Sequence, residues 1–189
     1  MTNEIHVAAF EDSWMFRNYL QDAVESTRNS DQPMRWLGAH ETVGSAIRFL
    51  QAVALGQETV SCIFLDGNLG LGGPEVQAQF DSGEGKELSA ASRGMFRRKS
   101  QPHNPNLFSI EHTDTGLGSD ARTIMRVARE MRSRGLWNKI AFIGYSSDPM
   151  SGILSGEDIT VDYDLTKANI SPEAILASIA RALASRGTA

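Results

Sequence analysis

The feature that most constrains the fold of this 189-residue chain is an alternation. Short apolar runs recur along it, and each is partnered by a stretch of helical period. Ile5–Phe10 reads as a strand, and Trp14, Met15, Phe16, Tyr19, Leu20, Ala23 and Val24 follow as a helical stripe. Met34–Ala39 reads as a second strand. A helix opening at Glu41 or Thr42 follows, with Val43, Ala46, Ile47, Leu50, Val53, Ala54 and Leu55 on one side and Gly56 as its stop. Val60–Leu65 is a run of apolar or small residues that then turns on Asp66-Gly67, the pattern of a buried central strand in a parallel sheet.

Later in the chain, a helix capped by Ser119 or Asp120 turns Ile124, Val127, Ala128 and Met131 inward. Arg122, Arg126, Arg129, Glu130, Arg132 and Arg134 face outward, and Gly135 ends it. Lys139–Tyr145 and Ile159–Leu165 are the last two strands. Met150 to Asp158 predicts a helix that Gly152 and Gly156 leave short or frayed. Ser171-Pro172-Glu173 opens the last helix with a cap, a proline at the first helical position and an acid in the first turn.

Five βα units in succession predict an α/β fold, a doubly wound parallel sheet with helices on both faces. The exception is residues 72–117, placed as an insertion between the third strand and its helix within a single domain spanning 1–189. This stretch is rich in glycine and has no long period, which is unusual inside a compact domain. Lys86–Lys99 and Leu107–Ile110 are expected to form a short helix and a short strand. Arg93, Arg97, Arg98 and Lys99 form a basic cluster, read as a solvated face in preference to a docking patch for an anionic partner.

Composition excludes several classes. Lys and Arg total 18 against 23 Asp and Glu, a formal charge of −5, which argues against a general nucleic-acid surface. Cys62 is the sole cysteine, so neither an intrachain disulfide nor a cysteine zinc site can form. It is read as a small buried hydrophobe. The four histidines lack close metal spacing, and Gly70-Leu71-Gly72-Gly73 lacks the lysine of a phosphate-binding loop. No window is apolar enough to span a membrane, and the first residues do not resemble a signal peptide. The expected location is the cytoplasm, with no membrane partner.

Chemistry collects at the strand ends. The first strand ends in Glu11 and Asp12, the third in Asp66, the fourth in Ser146 and the fifth in Lys167. In a doubly wound sheet all of these share one edge, where ligands bind. Three converging carboxylates repel one another, and an oxygen-only donor set suits a hard cation such as Mg²⁺. A carboxylate held against Mg²⁺ can accept a phosphoryl group, with Lys167 pairing one phosphoryl oxygen and Ser146 donating to another.

These residues carry a resemblance. Phe10-Glu11-Asp12-Ser13, Phe64-Leu65-Asp66-Gly67-Asn68-Leu69, Ile143-Gly144-Tyr145-Ser146-Ser147 and Asp162-Tyr163-Asp164-Leu165-Thr166-Lys167 together resemble the CheY-like receiver domain of two-component response regulators. The resemblance covers about residues 4–71 and 118–185. It implies a flavodoxin-like five-stranded sheet of order 2-1-3-4-5. It implies that Asp66 is the phosphoacceptor and that Glu11, Asp12, Asp66 and the backbone carbonyl of Asn68 hold Mg²⁺. Ser146 matches the hydroxyl that moves onto the phosphoryl group. Ser147 stands at the small residue beside it, as part of the binding site, and Lys167 matches the family's lysine. The implied partners are a histidine kinase or histidine phosphotransfer protein, a downstream protein target and, for some receivers, a second copy. The implied catalysis is limited to self-phosphorylation from a phosphodonor and slow autodephosphorylation. The chain ends soon after its fifth helix, so a stand-alone receiver that signals by protein contact is expected.

The sequence also departs from the family. Ala168 follows Lys167 where proline is usual, and a cis bond before a non-proline residue costs about 2.5–4 kcal/mol, so a different loop is expected there. Asp164 occupies the position of the switch aromatic, with Tyr163 one step out of register. Asp66 and Ser146 are 146 − 66 = 80 positions apart, far more than usual. Two other readings compete. One is a receiver-like interaction or scaffold module that is never phosphorylated. The other is a Mg²⁺ phosphohydrolase of the haloacid dehalogenase type, whose motif would require its nucleophile at Phe64.

Overall fold

A computed structural model describes residues 4–69, 119–133 and 140–187. The sheet has five parallel strands in the order β2-β1-β3-β4-β5, as the alternation and the resemblance imply. In chain order the elements are β1 (Ile5–Phe10), α1 (Trp14–Glu25), β2 (Met34–His40), α2 (Val43–Ala54), β3 (Cys62–Leu65), α3 (Ser119–Ser133), β4 (Ala141–Ser146), α4 (Met150–Ile153), β5 (Tyr163–Thr166) and α5 (Pro172–Ser185). A single 3₁₀ turn, Lys167–Asn169, joins β5 to α5. The proposed insertion at 72–117, its short helix and strand and its basic cluster lie outside the described residues. So do Arg134, Gly135 and Lys139.

Side chains of alternate strand residues sort into two cores. Ala8, Phe10, Ile63, Leu65 and Phe142 pack with α2, α3 and α4 on one face. Val7, Ala9, Cys62, Phe64, Ile143 and Tyr145 pack with α1 and α5 on the other. The two central strands, β3 and β4, are buried along their whole length. A strand covered by helices on both faces has no polar side to show, hence the unbroken apolar runs in sequence.

The helix signals act as their chemistry predicts. Thr42 and Ser45 cap α2 reciprocally, side chain to backbone in both directions. Gly56, with φ 71°, follows the helix in the left-handed conformation that costs glycine least. Ser171 accepts from the Ala174 N–H, and Pro172 occupies the first turn of α5. Pro149 and the two glycines hold α4 to 4 residues.

Two readings need correction. Arg132 does not face solvent. Its guanidinium donates to the Ile140 carbonyl (3.1 Å), pairs with Asp162 (3.3 Å) and lies over the Phe142 ring. The last strand also starts late, at Tyr163 instead of Ile159, because Asp162 diverts the ladder. Its side chain accepts the Phe142 N–H (2.8 Å), while its own N–H donates to the Phe142 carbonyl (2.7 Å). Its second oxygen pairs with Arg186 at 2.6 Å. Asp162 thus holds α3, β4 and α5 together at the sheet edge opposite the strand ends.

Asp162→Ala is expected to lower stability by about 3 kcal/mol, since it leaves two arginines facing each other and an amide without its acceptor. Asp162→Asn keeps the acceptor and is expected to cost less. Urea denaturation of both variants checks this.

Candidate functional site

Strand register builds the site. Phe10 pairs with Leu65, Leu65 with Gly144, and Gly144 with Asp164. The residues just beyond this row are Glu11 and Asp66 on adjacent strands, with Ser146 and then Lys167 across the sheet. Two backbone bonds fix the carboxylate stems. The Asp66 N–H donates to the Phe10 carbonyl (2.9 Å), and the Glu11 N–H donates to the His40 carbonyl (3.1 Å).

One carboxylate oxygen from each of Glu11, Asp12 and Asp66 lies within 4.8 Å of the other two. Glu11 and Asp66 are buried, and Asp12 is exposed. The ammonium of Lys167 lies between the two buried acids, 2.7 Å from Glu11 Oε2 and 3.0 Å from Asp66 Oδ2. Backbone amides take the remaining oxygens. The Ser13 N–H donates to Glu11 Oε1 (3.0 Å), and the Gly67 N–H donates to Asp66 Oδ1 (2.7 Å). Ser13 stands at the cap position of α1 but makes no side-chain cap bond.

Burial is the main cause of the site's electrostatics. It pushes the Glu11 carboxyl up to about 7, with the charge of Asp66 adding to the rise and Lys167 opposing it. Burial also raises Asp66, which Lys167 and the Gly67 N–H partly offset. Two acids and one ammonium near neutrality, with a third acid at the rim, make a pocket that a divalent cation would neutralise. The donors are all oxygens, so the residues present fit Mg²⁺.

The remaining sequence-predicted residues fall into place unevenly. Ser146 is buried at the end of β4. Asn68 is exposed, two residues past Asp66, and Ser147 is exposed beyond Ser146. The Lys167–Ala168 peptide is trans, and the chain passes directly into the 3₁₀ turn. Asp164 reaches the start of α4, where it accepts the Ser151 N–H at 3.0 Å. Tyr163 turns to the opposite face and packs under Arg181, whose guanidinium donates to its hydroxyl.

Two contributors to the site, Phe16 and Tyr145, read from sequence only as apolar core positions. The Lys167 ammonium sits 4.5 Å from the Phe16 ring centroid and 5.4 Å from that of Tyr145. These rings shield it from water and present their negative faces to it. The signal was adjacency, since Tyr145 immediately precedes Ser146. Gly67 is the other omission. A Cβ there would lie 2.7 Å from Ile153 Cδ1 and 2.9 Å from Ser146 Oγ.

Gly67→Ala is therefore expected to displace the Ser146 hydroxyl and to destabilise the protein by about 1–3 kcal/mol. A melting curve, together with the position of the Ser146 hydroxyl in a crystal structure of the variant, checks both parts.

No protein-family model matches the sequence, and no curated protein matches it. Solved structures do match. The chain is similar to the isolated REC domain of RcsB from Salmonella enterica serovar Typhimurium, solved in the presence of phosphomimetic BeF₃⁻. The TM-score is 0.50 at 11% identity, covering 94% of this chain and 87% of that one. It is also similar to a structure of the Salmonella typhimurium RcsB response regulator concerned with conformational dynamism for DNA interaction. There the TM-score is 0.46 at 12% identity, covering 95% of this chain and 66% of that one. Strand order, helix placement and the first of these likenesses agree on one architecture: the chain has the fold of a response-regulator receiver domain.

Proposed function

We propose that this protein is a receiver that accepts a phosphoryl group on Asp66 in the presence of Mg²⁺ and signals by protein–protein contact. The observation that carries the reading is the placement of Lys167, paired at once with Glu11 and Asp66 beside Asp12. An ammonium and three carboxylates at one sheet edge are what in-line transfer of a phosphoryl group to a carboxylate requires.

Glu11, Asp12, Asp66 and the Asn68 carbonyl would hold the cation, which when bound supplies positive charge to the phosphoryl oxygens. A carboxylate oxygen of Asp66 attacks phosphorus. The bond from phosphorus to the donor breaks, and the donor (the imidazole of a phosphohistidine) leaves with the electron pair. Lys167 then exchanges its contact with Asp66 for one with a phosphoryl oxygen, and the Ser146 hydroxyl donates to another. The donor in this reading is a histidine kinase or histidine phosphotransfer protein, and the setting is cytoplasmic. Among the described residues no helix is long and apolar enough to cross a membrane. Trp14, Met15 and Tyr19, exposed on α1 beside Asp12, offer apolar surface to a protein partner.

The direct test is incubation with Mg²⁺ and acetyl phosphate, followed by intact-mass measurement and peptide mapping. A phosphoryl adduct on Asp66 is expected. No adduct under conditions that modify an ordinary receiver would overturn the reading. In that case the alternative is an interaction module used without phosphorylation. One observation favours that alternative: Asp164 is committed to α4 where the family places its switch aromatic. A haloacid dehalogenase-type phosphohydrolase has no support, because Phe64, at the nucleophile's position, is a fully buried core residue.

A further inference from the structure

The segment that follows Asp66 is held at several points. The Gly67 N–H bonds back to Asp66 Oδ1, and the Gly67 Cα sits against Ser146. The Leu69 side chain is buried in the core shared by α2 and α3. One tie comes from far along the chain: the Leu69 N–H donates to Asp120 Oδ2 at 3.0 Å, across 51 residues of sequence. Asp120 lies in the first turn of α3. One oxygen of its carboxylate therefore reaches out of the helix to the loop beyond β3.

The amide of Leu69 and the carbonyl of Asn68 belong to one peptide group. That group is planar and trans, so its N–H and C=O point in opposite directions. A bond that fixes the N–H therefore fixes the carbonyl. We infer that Asp120 is a positioning residue: by holding the Leu69 N–H it sets the orientation of the Asn68 carbonyl and so tunes divalent-cation affinity at the Glu11–Asp12–Asp66 pocket. The inference rests on the proposed role of that carbonyl as a ligand. It also gives α3 a direct mechanical link to the pocket.

Two effects of Asp120 can be separated. Its negative charge attracts a cation without regard to peptide orientation, whereas its hydrogen bond acts only through orientation. Asp120→Asn removes the charge but keeps an oxygen able to accept from Leu69. Asp120→Ala removes both. Isothermal titration of the full chain with Mg²⁺ should give about tenfold weaker binding for the alanine variant, the scale of losing an outer-shell partner of a metal ligand. The asparagine variant should bind within about threefold of wild type, since its acceptor is kept.

Thermodynamic linkage supplies a second measurement that needs no variant to fold. If the Asp120 bond favours cation binding, cation binding must strengthen that bond by the same factor. Exchange of the Leu69 amide in the wild-type protein should therefore slow about tenfold at saturating Mg²⁺. Equal weakening in both variants would assign the effect to charge and overturn the inference. So would wild-type affinity in the alanine variant, or a Leu69 amide indifferent to Mg²⁺. A wild-type protein that binds no Mg²⁺ at all would instead overturn the proposed function on which the inference rests.

Discussion

Asp66→Asn is expected to abolish phosphoryl uptake while leaving the fold intact. Wild-type protein treated with acetyl phosphate and Mg²⁺ should show a phosphoryl adduct on its intact mass, and the variant should show none. The substitution is close to isosteric, and the side-chain oxygen of asparagine can still accept the Gly67 N–H now bound to Asp66 Oδ1 at 2.7 Å. Lys167 retains its pair with Glu11. The variant also removes one of two buried acids that burial disfavours in their charged form, so its melting temperature should not fall. Loss of uptake in a fully folded variant then reports chemistry and not unfolding. Asp12→Asn is the contrasting case. Asp12 is exposed at the rim, so the acceptor remains and only cation affinity should weaken. Adduct formation in that variant should recover at higher Mg²⁺. Uptake by Asp66→Asn at the wild-type level would place the acceptor elsewhere.

The contrast between Asp66 and Asp12 shows what could be read from sequence. Strand ends were legible because buried parallel strands are apolar on both faces, so the polar residues that close each run mark the edge. That logic placed Glu11, Asp66, Ser146 and Lys167 on one edge without any contact information. It could not separate the buried acids from the exposed one, because burial depends on what the neighbouring loop covers. Nor could it find the pairing of Lys167 with two carboxylates, which depends on the 3₁₀ turn after β5. Phe16 and Tyr145 were legible as core but not as walls for the ammonium, since one side chain serves both purposes. Asp162 shows the limit for the fold itself. A carboxylate within an apolar run looks like an ordinary strand residue. Here it replaces part of the ladder and draws in Arg132, which helical periodicity alone assigned to solvent.

The pocket's acids also predict how stability responds to pH. In the cation-free protein Glu11 ionises at about 7 against an ordinary 4.5, chiefly because it is buried. An acid whose folded value lies above its unfolded value stabilises the fold in its protonated form. That contribution is fully present below the unfolded value and is lost as pH rises through the folded one. Asp66 shifts in the same direction. Without Mg²⁺, stability should therefore fall between about pH 4.5 and pH 7, and the rise of Glu11 from 4.5 to about 7 corresponds to about 3 kcal/mol. Denaturant melts in EDTA across that range measure the slope. Mg²⁺ should act in the opposite sense, because it needs the carboxylates deprotonated and binds only the folded pocket. Its stabilising effect should be small near pH 5 and largest near pH 8, flattening the profile. Glu11→Gln should remove most of the slope in EDTA and much of the response to Mg²⁺. If the variant keeps the wild-type slope, Glu11 is not the group that carries the pH dependence.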